Sequence, residues 1–142
     1  MTASIDYAAV LVGAEIGPRE FVVQRVNLIM YAGASGDFNV IHWNERVARS
    51  VGLPDVIAHG MYTMAQAIRV VTDWCGDPGS VVEYKVRFTR PVVVPDDDKG
   101  ATLTVRGRVE DKLDGNRVVV FLDVSTPDGA VLTGSRAVVQ LR

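Results

Sequence analysis

Residues 60–75 carry the longest helical pattern in this chain, and what surrounds that pattern limits the folds available. From Gly60 onward, Met61, Met64, Ala65, Ile68, Val71, Thr72 and Cys75 follow the i, i+3, i+4, i+7 spacing of a helix with a buried stripe. Ala67, Val70 and Trp74 broaden the stripe, which predicts a helix covered on several sides, with Met61 and Met64 in the core. Gly76-Asp77-Pro78-Gly79 ends it. Beyond it the period changes from 3.6 to 2. Val82, Tyr84, Val86 and Phe88 alternate with Glu83, Lys85, Arg87 and Thr89, a half-buried strand. Pro91 and the acidic turn Pro95-Asp96-Asp97-Asp98-Lys99-Gly100 interrupt it. Further strands are expected over residues 101–110, 117–125 and 131–141. Asp114-Gly115-Asn116 and Pro127-Asp128-Gly129 read as turns between antiparallel neighbours. Ahead of the helix, residues 20–26 read as a strand. Asn27 is expected to cap a short helix through Ala34, and Asn44 a second one ending near Gly52. The order predicts an α+β domain, one apolar helix beside a curved antiparallel sheet.

A chain of 142 residues fits one domain, here residues 1–142, with enough length for a real core. Its net charge of −2 offers no basic field for nucleic acid or anionic lipid. The single cysteine, Cys75, excludes an intramolecular disulfide and a thiolate metal cluster, which favours a reducing compartment. No apolar run approaches the roughly 18 residues of a membrane span, and the first ten residues lack the pattern of a signal peptide. The expectation is a soluble cytoplasmic domain with no nucleic-acid or membrane partner.

The chemistry points to Tyr31-Ala32-Gly33-Ala34-Ser35-Gly36-Asp37-Phe38-Asn39-Val40-Ile41-His42. Asp37 and His42 are a carboxylate and an imidazole five positions apart, the elements of a paired acid and base. On a continuing helix they would diverge, since five residues turn through about 500°. They converge only if the chain turns, and Gly36 supplies a helix stop just before Asp37.

The segment from Tyr31 to Ala48 resembles the signature of MaoC-like, or (R)-specific, enoyl hydratases and dehydratases. That signature runs aromatic, small residues, Gly-Asp-x-Asn-Pro-aliphatic-His, then a small residue six positions on. Gly36, Asp37, Asn39, Ile41, His42 and Ala48 stand in register; Val40 replaces the usual proline. Val12-Gly13-Ala14-Glu15, Ala58-His59-Gly60-Met61 and Arg87-Phe88-Thr89-Arg90-Pro91-Val92 extend the likeness in the family's order. It is nearest to the catalytic beta subunits of actinobacterial (3R)-hydroxyacyl-carrier-protein dehydratases, through Ile41-His42-Trp43, Val51-Gly52-Leu53, Gly76-Asp77-Pro78-Gly79 and Glu83-Tyr84. The resemblance implies a single hot-dog domain, a curved sheet wrapped around one long central helix.

It also implies reversible dehydration of (3R)-hydroxyacyl thioesters to trans-2-enoyl thioesters, with Asp37 and His42 holding a water and trading protons with substrate. Gly60 N–H would polarise the thioester carbonyl, Asn39 would brace the catalytic loop, and His59 would support by capping or packing. No cofactor and no metal are implied; the acyl group arrives on acyl carrier protein or coenzyme A. A homodimer, or a heterodimer with a sister hot-dog subunit, is the expected assembly. Lys85, Arg87, Arg106 and Arg108 read as solvated strand charges, with docking of an acidic carrier or a coenzyme A phosphate as the alternative. Ser35 and Cys75 lack the adjacent base that a nucleophile needs. Two rival readings are an acyl-CoA thioesterase on the same fold and a non-catalytic acyl-binding subunit. A complete Asp37–His42 pair argues against both.

Overall fold

The computed structural model describes residues 3–142. Its sheet has five antiparallel strands: β1 (Glu15–Val23), β2 (Val81–Phe88), β3 (Ala101–Leu113), β4 (Arg117–Thr126) and β5 (Gly129–Gln140), in spatial order β1-β3-β4-β5-β2. The helices are α1 (Arg25–Ser35), α2 (Glu45–Ser50) and α3 (Gly60–Cys75). All five strands contact α3, so the sheet wraps one helix in the hot-dog manner.

Strand alternation explains the core. Along β4, Val118, Val120, Leu122 and Val124 point inward and are fully buried, and Leu103, Val105 and Val109 do the same from β3. Each such side chain contributes about 1.5–3 kcal/mol when removed from water. The β3–β4 register, with Val105 opposite Val124 and Gly107 opposite Leu122, keeps these residues on the helix side. The hairpin turns at Gly115 and Asn116, which both adopt positive φ (73° and 58°), as a tight right-twisted hairpin demands.

The buried face of the helix keeps Val71 and Cys75 of the expected stripe and Ala67 and Val70 of its broadened edge, but adds Thr63 and leaves out the N-terminal end of that stripe. Thr63, Ala67, Val70, Val71 and Cys75 are buried, whereas Met61 is 58% exposed and Ala65 is exposed. Two overlapping 3.6-residue stripes run along this segment. Periodicity locates the helix but does not choose between phases that differ by one or two residues. The bulky Met61 and half-buried Met64 lie off the buried line, and the small Ala67 lets the helix approach the sheet.

Two other boundaries differ from expectation. The first strand begins at Glu15 and ends at Val23, because the chain pairs with β3 from Glu15 opposite Arg108. The first helix is capped by Gln24, with Asn27 at the third helical position returning its side chain to the Gln24 N–H at 2.8 Å. Asn44 does cap α2, accepting from Val47 N at 3.1 Å, and Val51, just past the helix end, is 63% exposed. On edge strand β2, Val82 and Phe88 are also about half exposed, so its apolar face is left partly uncovered.

Candidate active site

Three short segments assemble the site: the end of α1, a single 3-10 turn at Val40–His42, and the chain entering α3. Helix α1 stops at Gly36, whose φ of 79° reverses the chain in the left-handed region. The loop that follows is built from side-chain acceptors. Ser35 Oγ accepts from Asp37 N (3.2 Å), Asp37 Oδ1 from Asn39 N (3.1 Å), and Asn39 Oδ1 from Ile41 N (3.3 Å). Such local bonds replace the carbonyls the helix no longer provides and curl the chain back on itself. His42 Nε2 thereby comes to 3.9 Å from Asp37 Oδ2.

The missing proline costs this loop little. Asn39 has ψ 126°, the extended geometry a residue adopts before proline, and Val40 occupies the first position of the 3-10 turn.

The two groups differ in environment. The Asp37 side chain is half exposed, at 51%, whereas that of His42 is 8% exposed. On its far side, His42 Nδ1 lies 2.7 Å from the carbonyl oxygen of Ile57. A carbonyl only accepts, so Nδ1 carries the proton of this bond. The neutral ring therefore turns a lone pair at Nε2 toward Asp37.

His59 is the third member of the cluster. It occupies the N-cap position of α3 yet makes no side-chain cap bond, so of capping and packing it does only the second. Its ring stacks on His42 with centroids 3.8 Å apart and planes 24° apart, and Tyr31 lies across from it at 4.8 Å, tilted by 59°. Nε2 donates to the Asp37 carbonyl at 3.0 Å, while Nδ1 is buried without a partner. Burial holds the His59 imidazole below its ordinary value; the bond to Asp37 opposes this, and neighbouring His42 adds to the lowering.

Asp37, His42 and His59 each offer a donor atom within 4.8 Å of the others, the spacing a metal ion would use. His42 Nδ1 and His59 Nε2 are already committed to carbonyls. That leaves His42 Nε2, His59 Nδ1 and Asp37 Oδ2 as the uncommitted atoms of the cluster.

Gly60 opens α3, so its N–H has no carbonyl one turn back. Beside it and His42 a cleft of about 320 Å³ runs between Thr63, Phe88, Arg90 and Leu132. The Phe88 ring stands where a side chain on Gly60 would go, 3.1 Å from the position of a Cβ. Any larger residue at this position would have to displace that ring. Asn39 lies in the loop rather than in the cleft wall, and Ser35 serves only as an acceptor for Asp37 N. Cys75 is buried at the opposite end of α3.

The four strand cations Lys85, Arg87, Arg106 and Arg108 are all exposed. Lys85 pairs with Glu83 at 2.7 Å; Arg106 and Arg108 project from the outer face of β3, opposite Asp123 and Phe121. Sequence reasoning missed the Ile57 carbonyl, which has no side-chain signature, and the stacking of Tyr31 and His42 on His59. The neighbouring aromatic Tyr31 and the pair Ala58-His59 were visible, but nothing local aligns them.

The MaoC like domain matches residues 9–126, most of the chain. The chain belongs to this family. Among MaoC-like relatives, it is 30% identical to the (R)-specific enoyl-CoA hydratase of Rhodospirillum rubrum over 120 residues, covering 84% of this chain and 80% of that one. It is 39% identical to 3-hydroxyacyl-thioester dehydratase X of Mycobacterium tuberculosis over 84 residues, 54% of this chain and 29% of that protein. In structure it superposes on a MaoC-like dehydratase with a TM-score of 0.95 and 32% identity, over 99% of this chain and 43% of the other. R-hydratase PhaJ1 of Pseudomonas aeruginosa aligns with a TM-score of 0.83 and 28% identity, over 99% of this chain and 88% of its own. The MaoC-like chain thus spans less than a third of the mycobacterial dehydratase and less than half of the structure with the highest of these scores. Among the described residues, no helix is long and apolar enough to cross a membrane.

Proposed function

We propose that this protein is a hydro-lyase that interconverts (3R)-hydroxyacyl and trans-2-enoyl thioesters, with Asp37 and His42 as its acid–base pair. The observation that carries the reading is the 3.9 Å gap between His42 Nε2 and Asp37 Oδ2. It is too long for a direct hydrogen bond and admits a water, or the substrate hydroxyl, within reach of both. In dehydration, the Nε2 lone pair takes the C2 proton while Asp37 holds the C3 hydroxyl. Passing that proton to the departing hydroxyl, across the gap and on the same face of the substrate, releases water. Hydration is the reverse. The Gly60 N–H, at the positive end of α3, stabilises the enolate oxygen that forms when C2 loses its proton. Asn39 braces the loop that carries both groups. The chemistry is acid–base throughout and calls for no redox or metal cofactor.

The relatives named as an enoyl-CoA hydratase and a hydroxyacyl-thioester dehydratase support the same reaction class. The thioester is carried on coenzyme A or acyl carrier protein. The half-exposed apolar residues of edge strand β2, with Phe88 at the cleft, support a second hot-dog subunit, identical or sister, pairing along this edge.

The test is hydration of short- and long-chain trans-2-enoyl-CoA by the purified chain, followed by loss of the conjugated thioester absorbance. Turnover that disappears in Asp37→Asn supports the assignment. Release of free coenzyme A thiol instead would identify a thioesterase, and acyl binding without turnover in the presence of a partner subunit would identify a binding subunit.

A further inference from the structure

We propose that His59 is a positioning residue that fixes Asp37 and His42 relative to each other and supports the charge on His42 when that ring is protonated. The inference rests on the acid–base reading of Asp37 and His42 above, and it gives a working role to a group that reading leaves idle.

The geometry is specific. His59 is 1% exposed and touches both members of the pair, His42 through its face and Asp37 through Nε2. The two contacts come from one rigid ring, so the Asp37 backbone that carries the carboxylate cannot shift relative to His42 without breaking one of them. Packing alone would not select an imidazole. A leucine or phenyl ring would fill the space without burying an unpartnered acceptor, whereas His59 Nδ1 is one of two such atoms among the described residues. What an imidazole provides, and Leu does not, is the Nε2–H for the Asp37 carbonyl and an electron-rich face for His42.

The ring also stays neutral where His42 must gain a charge. Donating from Nε2 leaves Nδ1 bare. A proton there would place a second buried cation 3.8 Å from His42, and burial already disfavours it. When His42 takes the C2 proton, its imidazolium meets the Ile57 carbonyl at Nδ1, the Asp37 carboxylate beyond Nε2 and the neutral face of His59. Such a cation over an aromatic face in a dry setting is stabilised. The other titratable or charged groups around the stack are the Tyr31 phenol, with Tyr62 behind it at 5.6 Å, and Arg90 in the cleft wall.

Three substitutions separate the contacts: His59→Phe keeps the stack, His59→Gln keeps a donor for the Asp37 carbonyl, and His59→Leu keeps neither. Two readouts are needed, kcat and KM for enoyl-CoA hydration and the titration of the His42 ring by NMR. In His59→Leu, kcat is expected to fall about 10–100-fold with KM within about twofold. The His42 midpoint is expected to fall by about half a pH unit, and His59→Phe to restore most of it. A folded His59→Leu variant with unchanged kcat and an unmoved His42 midpoint overturns the proposal. So does a kcat loss matched by lower melting temperature with no change at His42. If the unmodified protein and Asp37→Asn are equally inactive with a sister subunit present, the hydro-lyase reading fails, and the His42 midpoint still decides the role of His59.

Discussion

His42 Nδ1 is held 2.7 Å from the carbonyl oxygen of Ile57, and this contact leaves Nε2 as the uncommitted nitrogen of the ring. The proton sits on Nδ1, the lone pair on Nε2, and Nε2 faces the half-exposed carboxylate of Asp37. A buried ring oriented by a backbone carbonyl resists reorientation, because turning it over would leave that carbonyl unpaired. One group is therefore dry and fixed while the other is wet and able to exchange protons with solvent.

Removing the carboxylate charge while keeping its shape is the sharpest check of that division. Asp37→Asn retains an oxygen to accept from Asn39 N, so the loop should survive. Enoyl-CoA hydration should fall at least ~100-fold with the melting temperature unchanged. His42→Ala should reduce turnover similarly. Near-normal turnover in a folded Asp37→Asn variant would falsify the assignment.

Gly60→Ala separates stability from catalysis. Alanine favours a helix by roughly 0.5–1 kcal/mol over glycine, while its Cβ meets the Phe88 ring 3.1–3.2 Å away. Phe88 is half exposed and able to yield, so stability should change by less than about 1 kcal/mol. The methyl group and the Phe88 ring it displaces nonetheless narrow the cleft beside Gly60. The kcat/KM for enoyl-CoA is expected to drop by about 10²-fold or more. A variant of normal stability and normal kcat/KM would remove Gly60 from the site.

Acid sensitivity follows from His59. In the folded protein its imidazole titrates below the ordinary 6.5, chiefly through burial, so the unfolded chain binds a proton that the folded one refuses. Stability rises with pH where the unfolded state holds more protons. The folded state is thus favoured above about pH 6.5 and weakens as pH falls through that value. Melting temperatures at pH 7.5 and 5.5 should differ in this direction, and His59→Phe should reduce the difference. An equal difference in both proteins would assign the acid sensitivity elsewhere.

Val40→Pro should be tolerated or mildly stabilising. The preceding Asn39 already has the extended ψ of 126°, and the first position of a helical turn needs no N–H. Proline there restricts the unfolded chain and should add about 0.4–1 kcal/mol, read as a higher denaturation midpoint in urea. Loss of stability would show that the valine side chain contributes packing that the ring cannot replace.

The order of elements, the helix beginning at Gly60, the strands that follow and the turn that brings Asp37 and His42 together were all legible in the residues, since each rests on a signal within a few positions. Glycine at a helix end and alternation along a strand act locally, so a linear reading finds them. The face that α3 turns to the sheet was legible only in part: Ala67, Val70, Val71 and Cys75 were on the expected face, but only packing against β1–β5 selects Thr63 over Met61 and Ala65 at the start of the helix. The same holds for Arg25, whose bonds to Asp55 at 2.7 Å and to the Val94 carbonyl at 2.8 Å tie together segments remote in sequence. It holds most of all for the site. The chain alone determined that a carboxylate, an imidazole and a glycine helix start were available. Only the tertiary structure decided that the Ile57 carbonyl, 15 positions from His42, fixes its tautomer, and that His59, 22 positions from Asp37, lies against both. Those contacts depend on how separate segments pack, and periodicity carries no record of it.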